Sequence, residues 1–196
     1  MKPHLYIMGG ANGSGKTTAA MTLLPQYLDV YEFVNADEIA RGLNPLNPES
    51  ANFMAGRVMI ERVRGLINSG ANFAFETTCA GLNHTQTIAH AKAAGYLTTL
   101  IFLWLPSADM AVQRVRSRVQ QGGHNIPEMT IRRRYAAGLK NLKERFLPLV
   151  DKAVIYDNTT TDKANLHKIA EKNEDGFVVF DQGLWDTIAN SSEGET

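Results

Sequence analysis

A three-layer α/β/α fold with a five-stranded, mainly parallel sheet is the architecture this 196-residue sequence predicts. Three observations predict it. Short apolar runs alternate with segments of helical periodicity along most of the chain, as right-handed βαβ units require. The first run, Leu5-Tyr6-Ile7-Met8-Gly9, passes through a glycine-rich loop directly into a helix. Several runs also end in carboxylates, at the strand edge where ligands of open α/β sheets bind.

The loop is the most informative stretch. Gly10-Ala11-Asn12-Gly13-Ser14-Gly15-Lys16-Thr17 matches G-x-x-x-x-G-K-[ST], the phosphate-binding P-loop. Its glycines let the backbone curl so that successive N–H groups face a phosphate. Gly10, Ala11, Asn12, Gly13, Ser14 and Gly15 are therefore assigned to nucleotide phosphates, with Thr18 at the start of the following helix. Lys16 adds a mobile positive charge for the β- and γ-phosphates, and the Thr17 hydroxyl can ligate Mg²⁺. The helix, Thr17 to Leu28, turns Ala19, Ala20, Leu23 and Leu24 inward and lends its dipole to anion binding. A P-loop NTPase fold with ATP or GTP and Mg²⁺ as cofactors is the expectation.

Composition narrows the class. Apolar residues make up 44% and charged residues 20%, with a formal net charge of zero. That balance suits a soluble domain and gives no reason to expect nucleic acid or an anionic membrane as partner. The one cysteine, Cys79, excludes an internal disulfide framework and fits a reducing compartment. The N-terminus runs straight into the first strand, so no signal peptide is expected, and the longest apolar run, Leu100 to Leu105, is far shorter than a membrane span. A cytoplasmic protein with one domain over residues 1–190, and a tail 191–196 that frays, is the expectation.

The remaining elements follow in order. Val30 to Val34 reads as a second strand ending at Asn35-Ala36-Asp37-Glu38. Asn47 and Pro48 open a helix to about Asn68, expected to bury Met54, Val58, Val63, Leu66 and Ile67. Asn72 to Thr78 is a strand, followed by a helix from about His84 to Ala94. Leu97 to Leu105, apolar almost throughout, reads as a central strand covered on both faces. Ser107 caps a helix to about Gln120. The break Gly122-Gly123-His124-Asn125-Ile126-Pro127 leads to a second long helix, Glu128 to about Leu147. Ala153 to Asn158 forms the fifth strand, with a short helix around Ala164 to Glu171 and an apolar segment, Phe177 to Phe180, beyond.

Three constellations could carry chemistry. Asp37 follows the second strand, where a base for an acceptor hydroxyl is wanted; it could equally cap a helix. Glu76, with Thr77 and Thr78, leaves the apolar sheet at its active edge, and could ligate Mg²⁺ through water or hold an acceptor. Cys79 has no evident base and reads as an inert thiol. The third constellation is a set of arginines. Arg114 and Arg118 share one helix face, and Arg132, Arg133 and Arg134 follow across the glycine break. Together they describe a helical lid over about 114–134 whose charges would stabilise a transferring phosphoryl group. Arg118 and Arg134 are favoured, Arg133 is a candidate acceptor contact, and Arg116 and Arg132 are placed on the surface. His124 is either a loop residue or a substrate contact.

These residues resemble the zeta-toxin-like P-loop kinases. The matching stretches are Gly-Ala-Asn-Gly-Ser-Gly-Lys-Thr (10–17), Asn-Ala-Asp-Glu (35–38), Phe-Glu-Thr-Thr (75–78), Gly-Gly-His-Asn-Ile-Pro (122–127), Ile-Arg-Arg-Arg-Tyr (131–135) and Tyr-Asp-Asn (156–158). The resemblance implies a kinase-like fold and phosphorylation of a hydroxyl on a small molecule such as a UDP-N-acetyl sugar, with a possible antitoxin partner. Carried over by motif, Lys16, Asp37, Arg118 and Arg134 would be catalytic, and Glu76, Thr77 and Arg133 would bind the acceptor. Arg114 and Asn158 would lie near the base. No extended C-terminal uridine-sugar region follows in this chain. An ATPase switch acting on a protein partner is the alternative; free phosphate without a labelled acceptor would favour it. A polynucleotide-end kinase is disfavoured by the neutral charge.

Overall fold

The computed structural model describes residues 2–123, 125–160 and 166–191. The chain is built on one seven-stranded sheet in the order β2-β3-β1-β4-β5-β6-β7. Its strands are β1 (His4–Gly10), β2 (Glu32–Val34), β3 (Phe73–Thr77), β4 (Leu97–Trp104), β5 (Lys152–Asp157), β6 (His167–Asn173) and β7 (Gly176–Val179). The first five are parallel neighbours, as expected. The helices are α1 (Lys16–Tyr27), α2 (Ala36–Leu43), α3 (Asn52–Ser69), α4 (Asn83–Ala93), α5 (Ala108–Gln120), α6 (Glu128–Asn141), α7 (Leu147–Leu149) and α8 (Gln182–Asn190).

The central strands β1 and β4 are apolar because both faces are covered. Leu5, Ile7, Phe73, Phe75, Leu100, Phe102 and Ile155 are buried on one side with Val63, Ile67, Leu142 and Phe146. Met8, Ala74 and Ile101 are buried on the other with Ala20 and Leu24 of α1. A smaller cluster joins Ala11 in the glycine loop to Ala111, Val112 and Val115 of α5 and Ile131 of α6. The arginine-bearing helices are thus packed against the loop at their bases. The Ser107 hydroxyl caps α5, accepting from Met110 N at 3.1 Å.

Four sequence expectations need correction. The sheet has seven strands, not five, because β6 and β7 add an antiparallel hairpin to the edge at β5. The expected helix at Ala164 to Glu171 is, from His167 on, strand β6; its first two residues lie outside the described ones. Leu166, Ile169 and Ala170 have helical spacing, but β5 offers an open edge, and Asn173 turns the chain back by accepting from Asp175 N and Gly176 N. In α3 the buried face is shifted: Ala55 and Met59 are buried, while Met54 and Val58 are exposed. The helix proper begins at Asn52, after a separate 3-10 turn at Pro48–Ala51, and within it Ala55, Met59, Val63 and Leu66 stand at i, i+4, i+8 and i+11 on one stripe, from which Met54 and Val58 point away. Helix α8, capped by Asp181 accepting from Leu184 N at 3.0 Å, was not expected. His124 and residues 192–196 lie outside the described residues.

One contact fixes the height of α6. A Cβ on Gly138 would lie 2.6 Å from the Thr78 carbonyl oxygen, and Asn141 Nδ2 donates to Cys79 O and Ala80 O at 2.9 and 3.1 Å. Glycine-to-alanine in a helix ordinarily adds about 1 kcal/mol of stability. Here Gly138→Ala should instead destabilise by about 1–3 kcal/mol, from overpacking against backbone. Urea unfolding tests the sign; a more stable variant would contradict this contact.

Candidate active site

The glycine loop is shaped by steric necessity. A Cβ on Gly10 would strike the Leu103 carbonyl and the Ser14 hydroxyl, and Gly15 has a left-handed φ of +83°. Helix α1 starts directly after it with no side-chain cap and no acidic residue in its first turn, leaving its N–H groups to an anion. Ser14 Oγ and Asn12 Oδ1 are buried without a hydrogen-bond partner. A cradle closed to any Cβ, with uncapped donors and unpartnered polar atoms, fits a nucleotide's phosphates.

At the end of β3, Glu76 gathers three neighbours. Its Oε2 accepts from Thr17 Oγ1 at 2.6 Å and from Asn35 Nδ2 at 2.8 Å, while Oε1 lies 3.5 Å from Lys16 Nζ. Lys16, 5% exposed, also donates to Ala11 O at 2.8 Å. The Thr17 hydroxyl donates its proton to Glu76 and accepts a long bond from Asn35 Nδ2 at 3.4 Å, so one lone pair remains for a cation. One hydroxyl, one carboxylate and bound phosphates form a donor set that fits Mg²⁺. Among the described residues no group of three or more His, Cys, Asp or Glu side chains could hold a metal by itself.

Asn35 explains how α2 is placed. Its Oδ1 caps the helix by accepting from Asp37 N at 2.8 Å and Glu38 N at 3.3 Å. Its Nδ2 meanwhile reaches Glu76, a link an Asp cap could not donate. The cap is therefore Asn35 and not Asp37, whose exposed side chain lines a cavity of about 500 Å³. Glu38 turns to solvent beside Arg41, at 3.2 Å.

That cavity brings together Asp37, Glu76, Thr77, Arg133, Arg134 and His84. Thr77 is buried, and its hydroxyl accepts from Cys79 N at 3.0 Å, which shapes the turn after β3. Arg133 and Arg134 come from α6, held in place by Gly138 and by Tyr135, whose hydroxyl donates to Leu105 O at 2.7 Å. Arg118 is partly buried on α5, one turn beyond Arg114, and is not in this wall. Arg116 and Arg132 tie the two helices together, both reaching Glu128 and Arg132 also reaching Asp109.

Across the loop a second cavity of about 320 Å³ is lined by Gly15, Thr18, Leu23, Tyr27, Arg114 and Asn158, among others. Arg114 Nη2 donates to Thr159 O at 2.8 Å, fixing one wall. Cys79 is wholly buried, and burial pushes its thiol up to about 12, as an inert thiol requires.

Sequence reasoning missed Asn35 and His84. Asn35 was legible as an N-cap before Asp37-Glu38, but its second bond needs the fold. His84 stacks on Phe75 with ring centroids 4.8 Å apart, and no spacing signalled that it would reach the cavity.

Residues 5–144 match the model of a family described as AAA domain. The chain belongs to this AAA-domain family. An uncharacterized protein of Haemophilus influenzae is 33% identical to it over 127 residues, 64% of this chain and 88% of that one. Three solved structures share the fold at 17–19% identity. One is from the PezAT chromosomal toxin–antitoxin system of Streptococcus pneumoniae (TM-score 0.69; 100% of this chain, 80% of that). Another is AvrRxo1-ORF1:-ORF2 with ATP (0.76; 100% and 65%), so this AAA domain spans about two thirds of that chain. The third is a candidate kinase of Chloroflexus aurantiacus (0.63; 84% and 93%). The P-loop, kinase-like fold expected from the sequence is thus the fold of this AAA domain.

Burial lowers the pKa of His84 from the ordinary 6.5. Unfolding restores the higher value, so below 6.5 the unfolded chain binds the proton more readily. The stability linked to His84 is complete above 6.5 and is lost as pH falls from there through the folded value. Melting temperatures from about pH 7.5 to 5 should fall more steeply for wild type than for His84→Gln. Equal slopes would contradict burial of a neutral imidazole.

Proposed function

We propose that the chain is a phosphotransferase that moves the γ-phosphoryl group of ATP or GTP to a hydroxyl of a small molecule. One observation carries this. The phosphate loop and Glu76 open onto the same cavity as Asp37, and the opposite wall presents Arg133 and Arg134. A plain phosphate-binding loop needs no such second chamber; a bimolecular transfer does.

The residues divide by position. Backbone N–H groups from Gly10 to Gly15, with Ala11, Asn12, Gly13 and Ser14 between them, cradle the phosphates, and Lys16 neutralises them. Thr17 and Glu76 hold Mg²⁺, which supplies charge neutralisation at the phosphates when bound. The ties of Glu76 to Thr17 and Lys16 support this over direct acceptor binding. Asp37 takes the proton of the acceptor hydroxyl as its oxygen bonds to the γ-phosphorus and the bond to the β-phosphate oxygen breaks. Arg134, with Arg118 from the neighbouring helix, stabilises charge on the transferring group. Thr77, Arg133 and His84 line the acceptor side, and Thr18 and Arg114 the base side.

A UDP-N-acetyl sugar is the acceptor that the motif resemblance favours, and the fold shared with a PezAT chain supports a protein partner of the antitoxin kind. The setting is cytoplasmic.

Labelled γ-phosphate transfer to a panel of nucleotide sugars tests the proposal. Wild type should label an acceptor and Lys16→Ala should not. Asp37→Asn should lower kcat about 10²–10⁴-fold while ATP binding persists. Free phosphate with no labelled acceptor would overturn the transferase and favour an ATPase switch.

A further inference from the structure

Asn158 follows β5, and its side chain reaches the phosphate loop. Nδ2 donates to Ser14 O at 2.6 Å. A Cβ on Gly15 would lie 2.9 Å from the same nitrogen, so the amide fills the space behind the Ser14–Gly15 peptide. The residue is itself well fixed. Its backbone N–H donates to Trp104 O at 3.0 Å. The next residue, Thr159, donates its N–H to Asp157 Oδ1 at 2.8 Å, and its carbonyl accepts from Arg114 Nη2 at 2.8 Å.

The consequence lies in the geometry of one peptide. In a planar trans unit the carbonyl and the following N–H point in opposite directions. A donor that captures the Ser14 carbonyl on one side therefore aims the Gly15 N–H to the other. Gly15 is left-handed, at φ +83°, so the peptide's orientation is not set by ordinary helical geometry.

We infer that Asn158 is a positioning residue for the phosphate cradle, holding the Ser14 carbonyl so that the Gly15 N–H faces the phosphates. This rests on the nucleotide-binding reading above and differs from a base contact, the role the motif resemblance implies. It also joins the two sides of the nucleotide site: the loop that holds Arg114 on the base side orients a phosphate donor through its neighbour.

Calorimetric titration with inorganic tripolyphosphate and, separately, adenosine tests it. Asn158→Ala should weaken tripolyphosphate about five- to tenfold, the loss of one oriented donor, and leave adenosine unchanged. Asn158→Asp should lose at least as much, since a carboxylate cannot donate to Ser14 O and repels phosphate. The Gly15 amide resonance, which should shift on adding tripolyphosphate to wild type, should shift less in Asn158→Ala. A purely structural role would lower the melting temperature without this change. Unaltered tripolyphosphate affinity in Asn158→Ala, or a loss confined to adenosine, would overturn the inference. Wild type that binds no tripolyphosphate would overturn the nucleotide reading and this inference together, and the wild-type titration reports that outcome separately.

Discussion

The structure depends on one carboxylate. Glu76, near the end of a strand whose first three positions are apolar, accepts from Thr17 on α1 and from Asn35 at the start of α2, and it faces Lys16 across 3.5 Å. Two helices and the phosphate loop are thereby referred to a single point on the sheet. A carboxylate that is only 14% exposed is costly to desolvate, and it persists where donors compensate it. Those donors are the groups that a nucleotide and its cation would engage, so the interaction that organises the fold also organises the site.

The same economy governs the arginines. The two arginine-bearing helices of the expected lid are packed at their bases: α5 against the glycine loop, α6 against the turn after β3. Arg133 and Arg134 thus enter the cavity of Asp37 from a helix that Gly138 and Asn141 hold against the turn after β3. In the proposed transfer, charge held in this way would stabilise the developing phosphoryl group without reorganisation during the reaction. Arg116, Arg132, Glu128 and Asp109 tie the two helices into one block on the solvent side.

Much of this was legible in the sequence, for a physical reason. The P-loop encodes backbone conformation directly, through glycines that admit no side chain, and its flanks were apolar enough to place β1 and α1. The parallel strands announced themselves as continuous apolar runs ending in Asp37, Glu76 and Asn158. What failed was information carried by partners. Leu166, Ile169 and Ala170 fit a helix as well as a strand, and only the open edge of β5 decides between them. The buried stripe of α3 runs through Ala55, a small residue that carries little apolar signal, and His84 entered the cavity through a stack on Phe75 that no spacing encodes. The bond from Thr17 to Glu76, on which the proposed choice of cation over acceptor rests, is likewise invisible until the fold brings the two together.

In the proposed function Glu76 and Thr17 together complete a site for nucleotide-bound Mg²⁺. The most direct measurement is ATP affinity with and without Mg²⁺ in wild type and in Glu76→Gln. Mg²⁺ should tighten ATP binding in wild type by about tenfold or more, and most of this gain should be lost in the variant, which retains metal-free binding. A variant that keeps the full Mg²⁺ gain would contradict it, and would return Glu76 to the acceptor side of the cavity.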